Sequence, residues 1–528
     1  MPRKPQPFIP PPEAFGIGVH ALAARALGRA AGAEPTDGNA VRLLLDAREN
    51  FPAWLDAIRR AQRQILFESY ILADDGIGRD FASALRDRAR DGVDVYVICD
   101  WLGSFRSKGL WLSLRTAGVK VAVFNPFQFS SPLGWVSRDH RKMIAIDGRV
   151  GFVSGLCVSG KWLGNPAKRM EPWRDTGVEI RGPAVRDLER AFDQVWQATG
   201  GPSLPLPIAA NERHQAGTMR VRVIMGQPAA AGVYRMDLMI AALAHKRLWL
   251  TDAYFVGTAP YVQALGAAAQ DGVDVRLLVP GASDIPAISV LSRAGYRALL
   301  DAGVRVYEWN GTMLHAKTAV ADRHWSRIGS TNLNLAIFLG NYELDVAVED
   351  EGFADIMAAQ FEADLACSTE IVLTTRNRLR RAGPSKVHPT RARRTGAGSA
   401  SRAAAGAVGI GSALGAALTN RRGLGPAESG VLVKMALFMA VLAVVAAIWT
   451  KVVAWPIAAI AAWTAIAWFI KAWSLKRNHE RTRAMPEHDP AQPAHEQPIP
   501  EDTPAEPARN TAAEDGRRPK IQGGDVQE

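Results

Sequence analysis

An imidazole two residues ahead of an ammonium, with a carboxylate five residues further on, occurs twice in this chain. The first copy is His140-Arg141-Lys142-Met143-Ile144-Ala145-Ile146-Asp147, and the second is His315-Ala316-Lys317-Thr318-Ala319-Val320-Ala321-Asp322. In extended backbone, residues i and i+2 share a face, so the spacing predicts His and Lys side by side on a strand, with Asp147 and Asp322 beyond its end. One such match arises by chance in a chain of this length about once in a hundred, so a matched pair is a strong signal. The set suits phosphodiester chemistry. A neutral imidazole can attack phosphorus and hold a phosphoenzyme, and a second, protonated, can donate to the leaving alkoxide. Two lysines supply cationic donors where charge collects on the non-bridging oxygens. No cofactor or divalent ion is called for, and the sequence offers no metal-ligand cluster. Cys99, Cys157 and Cys367 are far apart and odd in number, which fits a reducing compartment and argues against a disulfide scaffold or a zinc site.

The elements that must carry these residues repeat as well. Asp91-Gly92-Val93-Asp94-Val95 recurs letter for letter at Asp271-Gly272-Val273-Asp274-Val275, and Ala117-Gly118-Val119-Lys120-Val121 returns as Ala302-Gly303-Val304-Arg305-Val306, at offsets of 180 and 185 residues. Two echoes in order argue for duplication. In the first half the periodicity predicts strands over 64–72, 93–99 and 119–124, with helices over 78–90 and 110–116. In the second half it predicts strands over 247–256, 273–279 and 304–309, with helices over 259–270 and 288–302. Apolar strands alternating with helices predict sheets covered on both faces. The expected architecture is α/β: a Pro-rich arm (1–40), two duplicated halves (41–215 and 216–372) forming one active site, a basic then Gly/Ala-rich linker (373–430), a transmembrane helical hairpin (431–473) and a disordered acidic tail (474–528).

Charge and hydropathy give the reason for the last three. The net charge is +11, and eleven Lys/Arg with no Asp/Glu lie between Arg376 and Arg422, so one segment equals the whole excess. A basic run beside an apolar segment points to anionic lipid rather than nucleic acid as partner. Met435 to Thr450 is free of charge, Lys451 interrupts, and Val452 to Ile470 is a second apolar run. The second run is 19 residues, long enough for the ~30 Å hydrocarbon layer. Basic residues flank both outer ends, which places both on the cytoplasmic side if the hairpin spans; a re-entrant hairpin and a buried soluble one are the alternatives. The tail from Ala484 has ten Asp/Glu against four Lys/Arg and lacks aromatics. No uninterrupted apolar stretch resembling a secretory signal is found near the N-terminus. The expected location is the bacterial cytoplasmic membrane, with the catalytic part on its cytoplasmic side.

The motif pair resembles the phospholipase D superfamily, in which two such motifs meet in one site, and more closely its bacterial cardiolipin synthases. The matching stretches are Phe67-Glu68-Ser69-Tyr70-Ile71, Asp139-His140-Arg141-Lys142 through Asp147-Gly148-Arg149-Val150, Trp173-Arg174-Asp175-Thr176, Gly329-Ser330-Thr331-Asn332-Leu333-Asn334 and Asn341-Tyr342-Glu343-Leu344. The resemblance covers about residues 41–372. It implies that His140 and His315 are the two catalytic imidazoles; His140 is assigned as nucleophile and His315 as acid, an order the resemblance leaves open. Lys142, Lys317 and Asn332 would bind the substrate phosphate, and Asp175 and Glu343 would be carboxylates that orient histidines. Asp147 and Asp322 belong to the catalytic motif by name but are read as holding structure. One departure stands out: Cys157 occupies the first-half position where the family has Asn, and a thiol cannot replace an amide donor. The implied reaction is phosphatidyl transfer making cardiolipin from phosphatidylglycerol. Alternatives are hydrolysis to phosphatidic acid, a phosphodiesterase or nuclease sharing the motif, and a scaffold without activity.

Overall fold

The computed structural model describes residues 16–127, 137–168, 170–205, 215–228, 230–334, 340–373, 379–381, 455 and 462–463. The first half runs α1 (Gly16–Ala31), β1 (Thr36–Leu45), α2 (Asp46–Arg60), β2 (Gln64–Ser69), α3 (Gly76–Arg90), β3 (Asp94–Asp100), α4 (Trp101–Ser104), α5 (Lys108–Thr116), β4 (Lys120–Phe124), β5 (Arg138–Asp139), β6 (Lys142–Ile146), β7 (Val150–Ser154), β8 (Thr176–Arg181) and α6 (Val185–Ala198). The second runs β9 (Met219–Gly226), α7 (Gly232–Leu243), β10 (Arg247–Thr251), α8 (Ala259–Gln270), β11 (Asp274–Pro280), α9 (Pro286–Asp301), β12 (Arg305–Trp309), β13 (Thr318–Ala321), β14 (Trp325–Gly329), β15 (Asn341–Glu349), α10 (Glu351–Ala366), β16 (Ser368–Leu373) and β17 (Leu379–Arg381).

The duplication read from the sequence is a duplication of sheet topology. The first sheet has the order β4-β3-β2-β6-β7-β8-β1, with β2, β3 and β4 parallel and the remaining pairs antiparallel. The second repeats it as β12-β11-β10-β13-β14-β15-β9, again with the first three parallel. β1 also pairs with β9, so the two sheets join through their equivalent last strands. The recurring pentapeptides are the junctions of this plan. Gly92 and Gly272 follow α3 and α8 with φ of 85° and 93°, and Gly118 and Gly303 follow α5 and α9 with φ of 90° and 93°. A left-handed residue there turns the chain out of the helix and into the next parallel strand, which a side chain would oppose.

The halves share a core. Phe192 and Trp196 of α6 bury in one cluster with Val346 of β15 and Phe361 of α10. Trp196 meets Tyr96 edge-on at 5.2 Å, and Phe361 stacks on Trp249 at 5.2 Å. Two polar clamps cross the same boundary. The buried Arg141 guanidinium donates to the carbonyls of Glu343 and Gly226 from the second half, and to the Ala191 carbonyl and the Gln194 side chain from the first. Arg174 grips Asp364 of α10 through two bonds of 2.9 Å. Buried arginines with every guanidinium nitrogen engaged fix the register of two surfaces, which an apolar contact alone does less sharply.

Among the described residues no helix is long and apolar enough to cross a membrane. Nearly all of the hairpin expected over 431–473 lies outside the described residues, as do most of the basic linker and the whole acidic tail.

Candidate active site

The parallel strands deliver their C-terminal ends to one edge of each sheet. In the first half that edge carries Tyr70 just past β2, and Ser69 pairs with Lys142 at the start of β6. In the second half Thr251, the last residue of β10, pairs with Thr318 at the start of β13. Both His–Lys motifs therefore arrive at the same kind of place. The expected strand placement needs correction. Only Lys142 lies inside a strand; His140, His315 and Lys317 precede β6 and β13. The backbone leaves its own sheet there to bond the other half: His140 N–H donates to the Tyr342 carbonyl (2.9 Å) and His315 N–H to the Arg174 carbonyl (2.7 Å).

That exchange sets the carboxylates. Asp175 is a first-half residue, yet its Oδ2 lies 2.8 Å from Nδ1 of His315. Glu343 is a second-half residue, and its Oε2 lies 3.1 Å from Nδ1 of His140. Each half orients the other half's imidazole. With Nδ1 engaged in this way, Nε2 of His140 is left to face a substrate, whereas Nε2 of His315 lies 3.2 Å from the Lys317 ammonium, which must move towards the phosphate to free it. Each carboxylate is itself held: Asp175 accepts from Trp162 Nε1 (2.8 Å) and the Thr176 N–H (2.8 Å), and Glu343 from the Ser330 hydroxyl and Asn341 Nδ2 (3.3 Å). The lysine ammoniums fold back to the carbonyls of their own histidines, Lys142 to His140 and Lys317 to His315.

Electrostatics separates the two dyads. Burial, aided by Lys142 and Lys317, holds the His140 imidazolium well below its ordinary range. Burial and Lys317 bring His315 down to about 4. Burial lowers Lys317 to about 8. Burial raises Glu343 to about 7, against the pull of Lys142. Burial acts on Asp175 too, but contact with His315 and the charge of Lys317 outweigh it and keep the carboxyl below its usual range. Near neutral pH, then, His315 faces a full negative charge, whereas the partner of His140 is close to half protonated.

Asn332 sits at the mouth of the second motif with both side-chain amide atoms buried and without a hydrogen-bond partner among the described residues. An orphaned buried amide costs free energy unless a ligand satisfies it, which fits a phosphate oxygen. Cys157, at the equivalent first-half position, is buried in an apolar cluster, and burial pushes its thiol above the usual range. It stays a thiol and offers no amide donor.

Asp147 and Asp322, counted with the catalytic motif, are not at the site. Lys142 and Asp147 lie at opposite ends of β6, roughly 17 Å apart at ~3.3 Å per residue. The Asp147 carboxylate accepts the N–H groups of Gln62, Arg63 and Gln64, and that of Asp322 the N–H groups of His245, Lys246 and Arg247. Both adopt positive φ, 56° and 49°. They fasten the turn that starts the central strand β2 or β10.

Several residues at the site carried no assigned role in the sequence. Tyr70 meets the His140 ring at 5.0 Å, and Tyr254 meets the His315 ring at 5.7 Å, a matched aromatic wall from the two halves. Trp162 and Trp173 add two more faces to His315, at 5.3 and 5.7 Å. The buried Glu68 carboxyl lies near that of Asp139, and burial, then the Asp139 charge, raise it well above its ordinary range. Tyr70, Glu68 and Trp173 lie inside stretches that carry the family resemblance, and that was the available signal; Trp162 and Tyr254 had none.

Two imidazoles backed by carboxylates, two ammoniums and one amide without a partner among the described residues, gathered from duplicated halves, suit transfer at a phosphodiester. Comparison with known proteins agrees. Residues 54–196 and 239–365 match the family described as "Cardiolipin synthase, PLD-like domain". Cardiolipin synthase A of Pseudomonas aeruginosa is 34% identical over 357 residues, 65% of this chain and 70% of that protein. A cardiolipin synthase of Halalkalibacterium halodurans is 32% identical over 343 residues, 62% of this chain and 67% of that one. The solved phosphatidylserine synthase of Haemophilus influenzae shares the fold, with a TM-score of 0.54 at 14% identity over 66% of this chain and 92% of its own. The chain belongs to the phospholipase D-like family of the cardiolipin synthases and is an enzyme of the phospholipase D superfamily.

Proposed function

We propose that the chain is a cardiolipin synthase, moving a phosphatidyl group from one phosphatidylglycerol to a hydroxyl of another. The observation that carries the reading is the crossed pairing of Asp175 with His315 and Glu343 with His140. It leaves two Nε2 atoms for one phosphorus, one to attack and one to manage the proton. Lys142, Lys317 and Asn332 are the donors for the phosphoryl oxygens.

His140 is the nucleophile. Its partner Glu343 is raised to about 7, so His140 is the more weakly charged-stabilised of the two and is kept neutral. Its Nε2 attacks phosphorus, the bond to the departing glycerol oxygen breaks, and a phosphatidyl–histidine forms. In the free site His315 lies near 4 and is neutral; the bound anionic phosphodiester, added to the ionised Asp175, favours its charged form, and the imidazolium then gives that oxygen its proton. Neutral His315 then takes the proton of the incoming hydroxyl, whose oxygen displaces His140 from phosphorus. Atoms and protons balance: two phosphatidylglycerols give one cardiolipin and one glycerol. The relatives named cardiolipin synthase support this choice of acceptor. The apolar stretch over 431–473 and the basic run before it support a hairpin anchor at the cytoplasmic membrane, with the two halves on its cytoplasmic side.

The test is a product assay. Full-length protein receives phosphatidylglycerol vesicles without added metal, and the lipids are separated. Cardiolipin with an equal amount of free glycerol is expected. Phosphatidic acid as the product would mean that water resolves the intermediate and the protein is a hydrolase. No lipid turnover would remove the reading.

A further inference from the structure

Among the described residues of the two halves, the exposed large apolar side chains fall into two groups. Leu112, Leu243, Ile356 and Val372 stand singly on α5, α7, α10 and β16. Isolated residues of this kind are normal on a soluble surface. Phe105, Phe127, Leu163 and Val290 are different in position. They are 43, 38, 42 and 57% exposed. Phe105 caps the end of the short α4 that follows β3, Phe127 follows β4, Leu163 is in the connection leaving β7, and Val290 is one turn into α9 after β11. Because β2, β3 and β4 are parallel and β7 runs out alongside them, Phe105, Phe127 and Leu163 emerge at the same sheet edge as His140. Val290 follows the matching edge of the second sheet, where His315 lies.

We propose that this edge is a docking face for an anionic bilayer, with Phe105, Phe127, Leu163 and Val290 inserting among the headgroups around the mouth of the site. The proposal rests on the lipid-substrate reading above. Charge complementarity selects the occupant. Arg106 and Lys108 flank Phe105, and the Lys161 ammonium stands 5.9 Å over the Trp173 ring, which is itself 5.7 Å from His315. Most acids on this edge are engaged: Asp74 with Arg79, Asp75 with the N–H groups of Gly78 and Gly160, and Asp284 with the Tyr254 hydroxyl, while the exposed Glu171 has the Thr312 hydroxyl at 3.5 Å. Basic side chains interleaved with apolar ones match an interface of acyl chains and phosphates. Continuity with the apolar C-terminal stretch gives a second argument. Phe127 meets the ring of Trp463 at 6.1 Å, and Trp463 belongs to the 19-residue run between Val452 and Ile470. Phe127 at the rim and Trp463 of that run are in contact, which supports one bilayer for both.

The experiment uses the full chain in a Cys367→Ser background, since Cys99 and Cys157 are buried. Single substitutions Phe105→Cys, Leu163→Cys and, as control, Leu112→Cys are labelled with bimane and reconstituted into phosphatidylglycerol vesicles whose acyl chains carry bromine. Quenching at 105 and 163 but not at 112 is expected; no quenching at 105 and 163, or equal quenching at all three, overturns the proposal. The double variant Phe105→Ser/Leu163→Ser should lose at least about tenfold in turnover of vesicle lipid while turning over monomeric short-chain phosphatidylglycerol normally. An equal fall on both substrates would place these residues in the reaction and overturn the docking role. Quenching at 105 and 163 by a protein that transfers no phosphatidyl group would sustain the face and remove only the catalytic reading.

Discussion

Asp175 of the first half holds Nδ1 of His315 of the second at 2.8 Å, and its carboxyl stays ionised because that contact and the Lys317 charge outweigh its burial. The opposite pair, Glu343 on His140 at 3.1 Å, has a carboxyl raised to about 7. The two dyads share a geometry and differ in charge. Asp175→Asn removes a full charge from behind the acid and should lower kcat by about 10²–10⁴-fold. Glu343→Gln replaces a carboxyl already near half protonation and should cost about tenfold. Steady-state turnover of the two variants checks the order; equal losses would mean that the dyads are electrostatically alike.

Asn332 and Cys157 occupy equivalent positions, but only the amide is an unsatisfied polar group. Asn332→Ala should lower kcat about 10- to 10³-fold, as loss of one oxyanion donor does. Cys157→Ala should leave turnover within about twofold and show only the small cost of a lost core sulfur in a melting curve. A large catalytic loss from Cys157→Ala would contradict the one-sided donor arrangement.

Lys317 is buried and lowered to about 8. Its charge is needed at the phosphate, so activity should fall as pH rises through about 8. Stability runs the other way. The folded state releases the proton near 8 and the unfolded chain near 10.4, so the buried charge is a cost present below pH 8 and relieved as pH climbs through that window. Lys317→Met should therefore be inactive yet more stable at pH 7, by an amount on the order of 3 kcal/mol at most, and the gain should shrink towards pH 10. Thermal denaturation across pH reads both signs.

Asp147 and Asp322 each accept three backbone N–H groups in a turn at the far end of the strand from the site. Asp147→Ala should destabilise by about 1–3 kcal/mol, through orphaned donors and a positive φ that Ala tolerates poorly. The fraction that remains folded should keep its kcat. A variant with a normal melting temperature and no turnover would return Asp147 to the chemistry.

Much of this arrangement was legible in the sequence because the physics behind it is local. The glycines at 92, 118, 272 and 303 each need a left-handed turn between helix and parallel strand, so their pentapeptides mark the same junction in both halves. The His–Lys spacing was legible for the same reason. What could not be read was any feature set by contact between the halves. Nothing near Asp175 says that it serves a histidine 140 residues away rather than one 35 residues away; the backbone bond from His315 to the Arg174 carbonyl decides that. The same exchange pulls His140 and His315 out of the strands that alternation assigned to them. Arg141 carried no assigned role, yet its guanidinium bonds four acceptors, two from each half.

The central claim, two half-sites sharing one phosphatidyl group, is tested most directly by trapping the intermediate. Full-length protein is mixed with ³²P-labelled phosphatidylglycerol, quenched within a turnover and mapped by mass spectrometry. The expected result is an acid-labile, base-stable label on His140, absent from His140→Ala. In His315→Ala a substrate whose leaving group is p-nitrophenol, which needs no proton, should still load the label although turnover of phosphatidylglycerol is lost. Label on His315 that survives His140→Ala would reverse the roles, and transfer with no labelled histidine in either protein would contradict the account.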